Sequence, residues 1–135
     1  MKKNMCFILL GLLFIQPALA QNIKKMSDAE QLGMTAGLAL ACGADKKLED
    51  FELIASRLLA NQAATDELER KQAQEYIEAK WDTMQRQKKG NPSDCREILE
   101  SFESLPIFNS TVYADGSVKL PDGSWSKPLR PVKKR

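Results

Sequence analysis

Asn91-Pro92-Ser93-Asp94-Cys95-Arg96-Glu97-Ile98-Leu99-Glu100-Ser101-Phe102-Glu103-Ser104-Leu105-Pro106 is the stretch that decides the fold class. Cys95, Ile98, Leu99, Phe102 and Leu105 recur at the spacing of one helical face, with polar and charged residues between them. Asn91 suits the N-cap, Pro92 the first helical position and Asp94 the positive first turn, and Pro106 ends the run. So short a helix is marginal alone in water, so its apolar face requires partners elsewhere in the chain.

Those partners are legible upstream. Ser27 with Glu30 three positions on is a capping box, and Leu32, Ala36, Ala39, Leu40 and Cys42 carry a helix up to Gly43. Between Leu32 and Ala41 only Thr35 is polar, so this helix is either buried on several sides or presents one side to a partner. Gly33, Gly37 and Ala41 recur every fourth residue, a stripe that lets another backbone come close, in the first instance one of its own bundle. Asp45 is expected to cap a second helix running to about Asn61, with Leu48, Phe51, Ile54, Ala55, Leu58 and Leu59 on one face and Leu53 opposite. Thr65, followed by Asp66, Glu67 and Glu69, opens a third helix, and Arg86, Lys88 and Lys89 close it before Gly90, each charge set matching the helix dipole. Its apolar face is thin: Ala73, Tyr76, Ile77 and Met84, with Trp81 at the margin. At about 36 Å it is long enough to overhang its neighbours.

Short connections favour antiparallel neighbours. If the first helix ends at the top with Cys42, the fourth begins there with Cys95, and a disulfide between them is expected. The expected fold is therefore all-α: an up-down four-helix bundle closed by one disulfide, over residues 21–108.

After Pro106 the chemistry changes. Thr111-Val112-Tyr113 and Val118-Lys119-Leu120 flank the turn pair Asp115-Gly116, and Asp115-Gly116-Ser117-Val118 returns seven residues later as Asp122-Gly123-Ser124-Trp125. A short C-terminal β-hairpin or meander, or else an irregular basic tail, is expected. From Gly116 to Arg135 the basic residues Lys119, Lys127, Arg130, Lys133, Lys134 and Arg135 outnumber Asp122 by five. Residues 109–135 thus read as a turn-rich basic appendage, either a solvated end or a docking segment able to make weak contact with an anionic membrane surface.

At the other end, Lys2 and Lys3 precede an apolar stretch from Met5 to Ile15 and then Ala18-Leu19-Ala20. This predicts a secretory signal peptide over residues 1–20, an exported and most plainly periplasmic protein, and an environment in which a disulfide persists. The remaining 18 basic and 18 acidic residues balance, so the basic end sits beside an acidic body.

Composition narrows function. With no His in the chain, the usual general base, the Ser-His and Cys-His nucleophile pairs and most zinc, copper and haem ligation are missing. No Gly-rich phosphate loop appears, and basic residues are not interleaved with aromatics as in nucleic-acid grooves. The expectation is a non-enzymatic protein-binding component without cofactor, metal or nucleic acid. Helix-in-groove recognition is the expected mode. The candidate partner-binding residues are Gly33, Gly37, Leu53, Tyr76, Trp81 and Trp125, with Lys127, Arg130, Lys133, Lys134 and Arg135 as the basic tail.

Cys42-Gly43 closing the first helix and Cys95 opening the last, in a cleaved four-helix chain, resembles the PulS/OutS group of pilotins over about residues 28–105. The resemblance implies binding to a segment of a secretin or another secretion-complex subunit during envelope assembly. Many pilotins are lipidated, and this chain has no Cys directly after Ala20. Acid-stress chaperones of the HdeA type are also similar, being small, helical and joined by one disulfide. A secreted inhibitor or immunity protein is the third expectation.

Overall fold

The computed structural model describes residues 25–90 and 94–131. Four helices precede a small sheet: α1 (Asp28–Ala41), α2 (Asp45–Gln62), α3 (Asp66–Lys89) and α4 (Cys95–Glu103), then a 3-10 turn (Pro106–Asn109). The sheet comprises β1 (Thr111–Val112), β2 (Val118–Lys119) and β3 (Trp125–Ser126) in the order β1-β2-β3, antiparallel throughout. The expected signal peptide, the Asn91-Pro92 helix start and the last basic residues lie outside the described residues.

The caps follow from the side chains present. Ser27 Oγ accepts from the Glu30 amide and Glu30 Oε2 from the Ser27 amide, at 3.1 and 2.8 Å, so both halves of the box form. Thr65 Oγ1 accepts from the Leu68 amide at 3.1 Å. Asp45 does not cap α2: Ala44 holds the cap position without a side-chain bond, and Asp45 is the first helical residue, its charge near the positive end.

The most extensive packing is between α1 and α3, which are not consecutive. A Cβ built on Gly33 would lie 2.3 Å from the Tyr76 carbonyl oxygen, and one on Gly37 would lie 2.3 Å from that of Lys80. Only glycine allows this approach. The two contacts advance in step along both helices, so α1 and α3 run the same way. The central cluster joins Ala36 and Ala39 of α1, Leu48, Phe51 and Ala55 of α2 and Phe102 of α4. Phe51 is 1% exposed, and the Phe51, Phe102 and Phe108 rings meet at 5.3 to 6.2 Å between centroids, tilted or edge-on. Cys42 and Cys95 are bonded, with their Cα atoms 5.2 Å apart.

The C-terminal segment is not an appendage standing apart from the helices. Val118 is fully buried, and Asn61, buried at the end of α2, donates through Nδ2 to the Gly116 and Ser126 carbonyls and to Ser126 Oγ at 3.0 to 3.1 Å. The Asn61 carbonyl accepts from the Leu129 amide. Arg130 donates through Nε to the Ala63 carbonyl at 3.0 Å, and its guanidinium pairs with Asp66 and Glu69, which hold its pKa up. The charge imbalance read from the sequence is real, but part of it is used internally: a base from the tail sits on the acidic first turn of α3.

Asn61→Ala would leave the Gly116 and Ser126 carbonyls without their buried donor. A loss of about 2 kcal/mol is expected, with earlier proteolysis of the sheet segment than of the helices. Thermal melting and timed limited proteolysis check it. An unchanged melt would mean that the sheet is not held by α2.

Candidate functional site

No group of three His, Cys, Asp or Glu side chains among the described residues could hold a metal ion, and no helix there is long and apolar enough to cross a membrane. Among the described residues, three places with apolar character bear on binding.

The first is a groove of about 330 Å³ between α1 and α4. Leu38, Ile98, Phe102 and Leu105 form its apolar floor and walls, and Thr35, Glu97 and Ser101 its polar lip. α4 is short and α1 carries small residues, and the disulfide fixes one end of the pair, so among the described residues the space between them is lined by α1, α4 and Leu105 alone. The floor is structural as well as exposed, since Phe102 also belongs to the central cluster.

The second is the outer face of α2 and α3. Glu52 of α2 accepts from Tyr76 Oη at 3.1 Å and pairs with Lys80 Nζ. Burial, then the charge of Glu52 and the hydrogen bond to it, push the Tyr76 phenol far up, which keeps it a neutral donor. Leu53, Ile77 and Trp81 each follow one of these contact residues by one position. Glu52 and Tyr76 lie at matching distances from the connection at residues 63–65, as in an antiparallel pair, so a rotation of about 100° brings all three onto the same side. They are 58%, 51% and 49% exposed.

The third is the outward face of the sheet. Each Asp-Gly-Ser turn is a three-residue loop closed by a glycine at positive φ, 87° at Gly116 and 85° at Gly123. In each, the Asp Oδ1 accepts from the amide and hydroxyl of the serine two residues on, which lowers the pKa of Asp115 and of Asp122. The turns set the register Thr111↔Lys119↔Trp125, and Trp125 lies beside Tyr113 with ring centroids 5.2 Å apart. Lys119 Nζ stands 5.8 Å from the Trp125 centroid.

Measured against the expected binding residues, the structure leaves Leu53 on α2, Trp81 on α3 and Trp125 on the sheet all exposed. Gly33 and Gly37 do not line a groove: the backbone of α3 fills the space over them. Tyr76 is engaged by Glu52. Lys127 is exposed, Arg130 is occupied by α3, and Lys133, Lys134 and Arg135 lie outside the described residues.

The α1–α4 groove does not follow from the sequence, where Ile98, Phe102 and Leu105 mark one apolar face of α4 without showing how much of it is covered. The brevity of α4 relative to α1 was the available signal. Ile77, placed by the sequence on the thin apolar face of α3, is 51% exposed, as is Trp81 four residues on at 49%. Comparison with protein-family models, curated proteins and solved structures returned no match.

Proposed function

We propose that this chain is an exported, non-enzymatic protein-binding component of the cell envelope, serving an assembly or secretion system, and that the α1–α4 groove receives an amphipathic segment of its partner. The observation that carries the reading is the groove itself: an open apolar trough with a polar lip beside a disulfide that fixes its geometry. Such a trough fits helix-in-groove recognition, where two or three apolar anchors at helical spacing enter and polar residues meet the rim. A secretin or another secretion-complex subunit is the partner class implied by the pilotin resemblance. The four helices are read as an up-down bundle, α1 and α3 advancing together and α4 returning along α1 from the disulfide.

Ile98→Gln tests this reading. Ile98 is partly exposed in the groove, so the variant is expected to melt within a few degrees of the parent. Affinity purification from envelope extracts, with mass spectrometry, should return one dominant envelope-complex subunit for the parent and lose it for the variant. Purified subunit and parent should then bind directly in calorimetry. Equal capture by both forms, or capture of many unrelated unfolded chains, would remove the groove from the mechanism.

A further inference from the structure

We propose that a second copy of this chain docks antiparallel on the outer face of α3, across a twofold axis passing Ile77. This surface is separate from the α1–α4 groove, so the inference stands or falls independently of the function proposed above. Along α3, Glu67, Arg70, Gln74, Ile77, Trp81, Met84 and Lys88 follow alternating steps of three and four, the spacing of a coiled-coil seam. All except Met84 are exposed, on the side turned away from α1.

A twofold interface must be complementary to itself, because each patch meets its own copy. This seam meets that condition. Reversed on itself, it sets Ile77 against Ile77 of the second copy, Trp81 against Gln74, and Lys88 against Glu67. Two large apolar side chains thus fall near the middle of the helix, and opposite charges meet at both ends. Orientation is fixed by the same pattern: α3 carries Asp66, Glu67 and Glu69 in its first turn and Arg86, Lys88 and Lys89 in its last. A parallel copy would set acid against acid and base against base. Asp66 and Glu69 already hold Arg130, which leaves Glu67 as the first-turn acid outside that clamp.

With α3 about 36 Å long and about 10 Å wide, the seam presents a strip of about 360 Å² per copy, the size of a weak, concentration-dependent contact. Ile77 and Trp81, 51% and 49% exposed, form its apolar centre. Their combined exposure on one face is what an occupant has to explain.

Sedimentation equilibrium of the full chain, from low to high micromolar concentration at low and moderate salt, tests the proposal. A monomer–dimer equilibrium that weakens with salt is expected. Trp81→Ser, whose side chain is half-exposed and whose melt should match the parent, is expected to weaken self-association about 30-fold or more, as for loss of a central tryptophan anchor. Glu67→Lys and Lys88→Glu should each weaken it, and the two together should restore it. A monomer at every concentration overturns the proposal, as does a dimer indifferent to Trp81→Ser or a double variant no better than its parents.

Discussion

Replacing both Cys42 and Cys95 with alanine is expected to destabilise the protein by about 4 kcal/mol, a fall in Tm of about 20 °C. The bond closes a loop spanning 53 residues, and in the chain-entropy account its absence frees the unfolded chain to explore conformations that the bridge forbids. A local effect adds to this. The bond joins the C-cap residue of α1 to the first residue of α4, a helix of nine residues that is too short to persist unaided. Freed of it, α4 is held chiefly by Phe102 and the groove residues, and amide exchange in α4 should rise before that in α1 or α3. Thermal melting with hydrogen exchange measures both effects. If the alanine double variant melts within about 5 °C of the parent, the bridge is not a main support of the fold.

The second large effect is expected at the α1–α3 crossing, where two principles oppose each other. Alanine exceeds glycine in helix propensity by about 1 kcal/mol, so Gly37→Ala would stabilise an isolated α1. In the folded protein the added carbon would meet the Lys80 carbonyl oxygen at 2.3 Å and the Thr83 Cβ at 2.9 Å, and neither is the free end of a flexible chain. The helices must move apart, at a cost typically of 1–3 kcal/mol for an overpacked site. Gly37→Ala is therefore expected to destabilise by about 1 kcal/mol net, and Gly37→Leu, with three more carbons to place, by more than about 3 kcal/mol. Denaturant titration of the two variants gives the order. A Gly37→Ala protein more stable than the parent would show that propensity prevails and that the crossing is looser than described.

The balance between what could and could not be read from the chain follows physical lines. Helix starts at Ser27 and Thr65 were legible because capping depends on residues three apart, and the α2 stripe from Leu48 to Leu59 was legible because one strong face needs no knowledge of its neighbour. The mostly helical class and the Cys42–Cys95 bond followed from these. Which helix touches which did not. Gly33 and Gly37 announce a close approach, but nothing local says that α3, rather than α2 or a partner, takes it. The seating of the C-terminal segment was hidden for a related reason: it depends on Asn61, a polar residue at a helix end, whose three donated bonds join residues 55 and 65 positions away. Periodicity reports apolar faces and is silent about a buried amide.

The seven-residue duplication in the sheet has a consequence of parity. Val118 and Trp125 occupy the same slot of the unit, each directly after an Asp-Gly-Ser turn. In the meander, however, Val118 lies opposite Ser126, while Trp125 lies opposite Lys119. An odd repeat folded back on itself turns successive copies of one slot to opposite faces of the sheet. The slot filled by valine faces α2 and is sealed there, and the slot filled by tryptophan faces outward. A duplication of this length divides labour without any further change of backbone, the earlier copy serving as anchor and the later one as display. Units of even length would have set both side chains on the same face, competing for one place against the helix.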